Sequence, residues 1–216
     1  MKKFAFYVSS KATRLKNFIS LYCNANICKS IEFVLIDNKS NDELKDICSK
    51  NNIQFYEVDI QKVDKKNLYI SNLFLNYLEQ HNIDYGFIFA DRILVGGLLT
   101  SYKNKLINFH PSILPSHKGL GAIDQALEKN TFLLGNTAHI ITEELDGGSI
   151  VMQNIFPAYN FKNYDEVLNK QLIMLLQIIR WIQDNRLQIH DGKVEIANAY
   201  YEVQEFIPNL EINYES

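Results

Sequence analysis

The sequence predicts an α/β fold, a Rossmann-like wound and mostly parallel sheet with helices on both faces. Two observations lead there. Short apolar runs that read as buried strands alternate with helix-period segments through the first half of the chain. Neither an internal repeat nor a low-complexity or linker-like tract interrupts that alternation. Right-handed crossovers between successive strands then wind the sheet.

Taken in order, Phe4 to Val8 reads as the first strand and about Thr13 to Tyr22 as a helix. Glu32 to Ile36 (EFVLI) is the second strand. Ser40, with Glu43 three residues on, forms a capping box for a helix whose apolar side carries Leu44, Ile47 and Cys48. Ile53 to Val58 is a short strand. Ile70, Leu73, Phe74, Tyr77 and Leu78 recur at the spacing of an amphipathic helix, and Tyr85 to Ala90 is a strand. In the second half, Lys105 to Phe109 runs straight into HPSILPSHKG. A helix follows from Ala122 to Lys129. Thr137 to Thr142 and Ser149 to Phe156 read as strands joined by EELDGG, where Gly147-Gly148 marks a tight connection. The helix after them carries Leu168, Leu172, Leu175, Leu176, Ile179 and Ile182 on one face and further apolar residues on others. Such a helix is either deeply packed or meets a partner subunit, so a homodimer stays open. Residues 1–190 are expected to form the catalytic domain, with 191–216 an extension packed on it or on a partner.

Composition excludes several classes. The 216 residues are 47% hydrophobic and 22% charged, with a net charge of −3 and a pI near 6.0. That balance carries no basic field for nucleic acid, and the lysines are scattered. The opening MKKFAFYVSS has too short an apolar run for a signal peptide, and no apolar stretch reaches the ~18 residues of a membrane span. The expected partners are small molecules, with neither nucleic acid nor membrane. Cys23, Cys28 and Cys48 include no CxxC pair, and they are expected to be reduced thiols in a cytoplasmic protein.

In wound sheets ligands gather beyond the carboxyl ends of strands, which directs attention to the segments after Val8, Ile36, Ala90 and Phe109. Asn108 and His110 lie two apart at a strand end, so both side chains project from one face. Asp146 lies in the turn between two later strands. The stretches INFHPSILPSHKG and GNTAHIITEELDGGSIVMQ closely resemble the folate-dependent formyltransferase family that includes glycinamide ribonucleotide formyltransferase. Its motifs are N-x-H-P-S-L-L-P and then G-x-T-x-H with an Asp-Gly or Asp-x-Gly a few residues on. FADRIL, Phe89 to Leu94, is similar to the family's G-F-M-R-I-L segment. The resemblance runs from near residue 1 to about Leu187.

The resemblance implies a formyltransferase using 10-formyltetrahydrofolate as co-substrate and no metal, with Asn108, His110 and Asp146 catalytic. It places the folate along Ala90, Asp91, Arg92, Ile93 and Leu94, and along Ile141, Thr142, Glu143 and Glu144. Asp91, where the family has methionine, either meets the acceptor amine or is solvated. It also implies a cis Leu114-Pro115 bond, and leaves His139 divided between a core role and a family site position. The chemistry suits these residue types. Attack of a neutral amine on the formyl carbon puts negative charge on oxygen, which an amide N–H of Asn108 stabilises. An imidazolium at His110 donates a hydrogen bond or a proton, and a carboxylate at Asp146 favours its charged form. Ser112 sits in no G-x-S-x-G elbow, which argues against a serine hydrolase.

For the acceptor, the relevant residues are Ser10, Lys11, Arg14 and Gln171. The family's purine enzyme has a glycine-rich phosphate loop after the first strand, where this chain has Ser9 to Arg14 without glycine. Gln171 stands where that enzyme has an acidic residue on the ribose. The expected acceptor is therefore the amine of a nucleotide-linked amino-deoxysugar, with phosphoribosylglycinamide as the alternative and methionyl-tRNA third. A formyltetrahydrofolate hydrolase and a non-catalytic folate-binding protein also stay open. The hydrolase is disfavoured because relatives of that kind carry an N-terminal regulatory domain, whereas this chain starts at its first strand.

Overall fold

The structure, a computed structural model, describes residues 1–23, 25–38 and 41–212. Contacts within the chain divide it into two compact units, Met1–Ile107 and Asn108–Ser216.

In the first unit, strands β1 (Phe4–Val8), β2 (Ile31–Ile36), β3 (Gln54–Glu57) and β4 (Tyr85–Phe89) are joined by helices α1 (Thr13–Tyr22), α2 (Ala25–Ser30), α3 (Asp42–Lys50) and α4 (Lys66–Gln80). The strand order is β4-β1-β2-β3, and every pairing is parallel. All five residues of β1 are buried, which is what a central parallel strand covered on both faces requires. Phe4, Phe6, Phe33, Phe74 and Phe87 fill the core on either side. Here the wound parallel sheet is as predicted. Helix α4 extends a turn beyond its apolar pattern in the N-terminal direction, and a short α5 (Gly97–Ser101), like α2, has too few residues to show a period in the sequence.

Two local expectations meet different outcomes. Ser40 of the capping box lies outside the described residues. Helix α3 instead begins at Asp42, and Asn41 caps it, its side-chain oxygen accepting from Leu44 N at 3.2 Å. The reduced-thiol reading is corrected. Cys23 and Cys28 form a disulfide, their Cα atoms lying 5.2 Å apart, within the span such a bond bridges. Cys48 is free and buried, and burial pushes its thiol up to about 12.

The second unit is built differently. Strand β5 (Leu106–His110), which straddles the division, is followed by α6 (Ala122–Glu128), β6 (Leu133–Ile140) and β7 (Ile150–Pro157). After them come α7 (Tyr164–Gln183), a hairpin of β8 (Leu187–His190) and β9 (Lys193–Ile196), and β10 (Phe206–Ile207). The order is β10-β7-β6-β5, with β6–β7 and β7–β10 antiparallel. The tail expected to begin at 191 starts at the tip of the β8–β9 hairpin and returns to pair with β7.

Asn163 caps α7 by accepting from Glu166 N at 2.9 Å, and Asp165 and Glu166 suit its first turn. Its apolar residues face in several directions because cover comes from several sides of its own unit. Strands β6 and β7 lie on one side. The chain near Glu211 lies on another, where Gln177 Oε1 accepts from Glu211 N at 2.7 Å and Arg186 pairs with the Glu211 carboxylate. Among the described residues, no helix is long and apolar enough to cross a membrane.

Candidate active site

The second unit gathers the polar residues that the sequence singles out. Strand β5 is buried except at Asn108, which is half-buried, and it ends at the buried His110. The loop beyond it is pinned to β6 and β7. Thr137 Oγ1 donates to Ser112 O at 2.7 Å and accepts from Leu114 N at 3.0 Å. Gln153 Nε2 donates to Leu114 O at 3.0 Å. The Leu114-Pro115 bond is cis, as the family resemblance implies.

Asp146 arrives from the turn between β6 and β7. That turn depends on Gly148, where a Cβ would come within 1.8 Å of Ile140 O, so no side chain fits. Asp146 itself has φ 49°, a left-handed conformation that aspartate tolerates better than most residues. Its side chain is only 7% exposed.

The arrangement is a short polar chain. Asp146 Oδ2 lies 3.5 Å from His110 Nδ1, and Oδ1 lies 3.6 Å from His139 Nε2. The same His139 Nε2 is 3.2 Å from Asn108 Nδ2, and its Nδ1 is 3.0 Å from Ile140 O. A carbonyl only accepts, so the His139 Nδ1 carries a proton in either charge state. Neutral, the ring accepts from Asn108; doubly protonated, it faces Asp146 as a cation. His110 Nε2 donates to His117 O at 2.8 Å, so a second proton on Nδ1 makes an imidazolium facing Asp146. Gly119 N donates to Asp146 Oδ2 at 2.8 Å. Burial works against ionising Asp146, but the facing His139, the Gly119 N–H and His110 outweigh it and hold the carboxyl at about 2. The group is therefore a carboxylate at any working pH.

Asn108, His110 and Asp146 are thus brought together, and His139 joins them as the link between Asn108 and Asp146. The G-x-T-x-H motif pointed to His139 without deciding its role. The contributions of His117 and Gly119 are main-chain groups, which leave no mark in residue type.

The other predicted positions are spread over both units. In the first, Ala90 and Arg92 are half-buried, Asp91 is exposed and Leu94 is buried, while Ile93 is 48% exposed. In the second, Ile141 is half-buried and Thr142, Glu143 and Glu144 are exposed, with Glu144 paired to Lys118 at 2.7 Å. Among the described residues, no group of three or more His, Cys, Asp or Glu is placed to hold a metal ion.

Of the acceptor candidates, Ser10 and Lys11 are exposed and line a cleft of about 410 Å³ with Ser9, Asp37, Asn38, Asp91 and Arg92. Arg14 lies over the Phe89 ring at 4.7 Å, and burial pushes its guanidinium down to about 10. Ser10 and Ala12 adopt φ 55° and 49°. The loop therefore takes up left-handed backbone at two positions without glycine. Asn41 supports it by donating to Lys11 O at 3.2 Å. Gln171 is placed elsewhere: it is 0% exposed inside α7, and its Nε2 donates to Asn136 Oδ1 at 2.7 Å. Asn136 in turn donates to Asn154 Oδ1 and Val167 O. Position 171 is a polar tie between α7 and β6, which the amphipathic pattern of a nearly all-apolar helix does not reveal.

Residues 2–174 match the formyl transferase family. Phosphoribosylglycinamide formyltransferase of Haemophilus influenzae is 29% identical over 200 residues, spanning 89% of this chain and 92% of that protein. Formyltetrahydrofolate deformylase of Bacillus subtilis is 26% identical over 209 residues, and the match covers 92% of this chain but 66% of that longer protein. The crystal structure of glycinamide ribonucleotide transformylase 1 from Symbiobacterium toebii superposes with a TM-score of 0.78 at 22% identity. That superposition covers 91% of this chain and 94% of the other, and shows that the fold is shared.

Proposed function

The chain belongs to the formyl transferase family, and on that premise we propose that it moves a formyl group from 10-formyltetrahydrofolate to the primary amine of phosphoribosylglycinamide. The observation that carries the chemistry is the ionised Asp146 between two imidazoles, with Asn108 joined to the same cluster. In this reading the second amide N–H of Asn108 donates to the formyl oxygen as negative charge develops there. His110, whose Nδ1 faces Asp146 at 3.5 Å, supplies a proton to the departing folate nitrogen. Asp146, already a carboxylate, then accepts a proton released by the attacking amine, directly or through water. The folate is proposed to bind along residues 90–94 and 141–144, with the half-exposed Ile93 offering apolar surface in the first segment.

Two observations favour phosphoribosylglycinamide over the amino-deoxysugar expected from the sequence. The Haemophilus relative named for that acceptor matches this chain nearly end to end. The two sequence arguments against it also weaken, since the loop at Ser10 and Ala12 adopts the left-handed backbone without glycine and Gln171 is buried. The Bacillus relative supports a second reading, in which water replaces the amine and the product is formate. The test is an assay with 10-formyltetrahydrofolate, with and without phosphoribosylglycinamide. Tetrahydrofolate release that depends on the amine is expected. Equal release without it would favour the hydrolase, and a tenfold preference for an amino-deoxysugar, about 1.4 kcal/mol, would restore that acceptor.

A further inference from the structure

A second shielded carboxylate lies in the first unit, at the carboxyl end of β2. Asp37 follows Ile36 directly, and its side chain is 3% exposed. Two groups hold the same oxygen, Oδ2. The Tyr7 hydroxyl donates from β1 at 2.9 Å, and the Arg92 guanidinium pairs with it through Nε. Burial first, and then the adjacent Asp37, push the Tyr7 phenol far above its ordinary range, so it stays a neutral donor. Asp37 is thus neutralised by a permanent cation, because a guanidinium does not release its proton at working pH. The geometry of this carboxylate suits it to hold Arg92.

Arg92 belongs to the loop that runs from the end of β4 to α5. The main chain of that loop is anchored at both ends. Asp91 N donates to Ser9 Oγ at 3.3 Å, and Val95 N donates to Ser71 Oγ at 2.9 Å. Between those anchors Leu94 is buried, Ile93 is half-exposed, and the Arg92–Asp37 pair ties the outer part of the loop to the sheet. Arg92 also lines two clefts of this unit. One is the 410 Å³ cleft with Ser9, Lys11 and Asp91; the other, about 620 Å³, lies against Lys65, Lys66 and Leu68 at the start of α4. The direction in which the Arg92 side chain is held therefore shapes both.

We propose that Asp37 is a positioning residue for binding of the formyl donor: it fixes Arg92, and through Arg92 the 90–94 loop. The proposal rests on the reading that this loop receives the folate. A buried carboxylate with one strong partner fixes that partner well, since releasing it would leave an uncompensated charge in the sheet. With Asn at this position, Arg92 turns toward solvent, and residues 91–93 sample more conformations before the donor binds. The loss then appears in affinity, because only part of the population is competent to bind.

Calorimetric titration with tetrahydrofolate and steady-state kinetics test this on the full chain. For Asp37→Asn, about a tenfold weaker tetrahydrofolate affinity and a tenfold higher KM for 10-formyltetrahydrofolate are expected. Turnover at saturating donor should stay within about threefold. Asp37→Glu, which keeps the charge, should recover part of the affinity. Arg92→Gln should weaken tetrahydrofolate binding to a similar degree, and Asp37→Asn/Arg92→Gln should be no worse than the weaker single variant, since both remove one contact. Donor affinity and KM within twofold of wild type in a folded Asp37→Asn chain, or fully additive losses in the double variant, would overturn the positioning role alone. If Asp37→Asn fails to fold, Tyr7→Phe and Arg92→Gln carry the same comparison, with a smaller shift expected for Tyr7→Phe and no shift in either overturning the role. A wild-type chain that binds no tetrahydrofolate would remove the donor reading, and this inference with it.

Discussion

Each unit of the chain shields one carboxylate, and the two carboxylates are held by different kinds of partner. Asp146 in the second unit faces His110 and His139 and accepts from Gly119 N. Asp37 in the first faces Arg92 and accepts from the Tyr7 hydroxyl. Imidazoles gain and lose protons near neutrality, so a carboxylate among them can pass and receive protons during a reaction. A guanidinium and a strongly acid-weakened phenol do neither, and their carboxylate is fixed as part of the framework. On the proposed reading, similar burial serves chemistry in one unit and geometry in the other.

The largest expected effect tests the chemical half of that contrast. Asp146→Asn keeps the shape and the Gly119 contact but removes the charge. Turnover should fall at least about a hundredfold, roughly 2.7 kcal/mol of transition-state stabilisation, with circular dichroism unchanged. Asn108→Ala should lose a similar factor, by removing the oxyanion donor. If either variant retains near-normal turnover, the cluster is not the reacting centre and the contrast collapses.

How much of this was legible in the sequence follows from where the information sits. Strands β1, β2 and β4 and helix α1 were readable because each is a continuous apolar run or a clean helical period. Asn108, His110 and Asp146 were readable because they belong to two motifs dense in unusual residues. The helix cap at Asn41 rests on one side-chain oxygen turning back to Leu44 N, which residue type alone does not mark. The burial of Gln171 is not legible because a buried glutamine and a ligand-facing one look alike on an apolar helix; the Asn136–Asn154 tie that it joins comes from β6 and β7. Asp37 follows a strand end, and nothing in residue type alone marks it. Its partners, Tyr7 and Arg92, are 30 and 55 residues away, and only the parallel pairing of β2 and β4 on β1 brings them together.

The framework half of the contrast predicts a different ranking for stability. Asp37→Asn leaves a guanidinium without its carboxylate, and a change of about 2–3 kcal/mol in urea unfolding at neutral pH is expected. Asp146→Asn should cost less, because the depression of the Asp146 carboxyl corresponds to only about 1–2 kcal/mol. If the two variants unfold at the same urea concentration, Arg92 is not fixed by Asp37 as described.

The smallest effect is the acid dependence of Asp146. Its folded-state pKa of about 2 lies below the ordinary 3.8. A depressed carboxyl stabilises the fold above its unfolded pKa, and that contribution disappears as pH falls through the folded value. The shift corresponds to about 1–2 kcal/mol once partial solvent screening is allowed for. The wild-type chain should therefore exceed Asp146→Asn in stability by a constant amount above about pH 5, with roughly half of that margin gone by pH 3. Urea midpoints for both chains at pH 6, 4 and 3 measure it. A margin that does not shrink between pH 6 and pH 3 would mean that the imidazoles and the Gly119 N–H do not hold Asp146 ionised. If Asp146 acts in catalysis as proposed, the same depression keeps it charged through any pH at which the enzyme is assayed. An acid limb in the rate profile above pH 4 therefore belongs to another group, and Asp146→Asn should lower the whole profile without moving that limb to where Asp146 itself titrates.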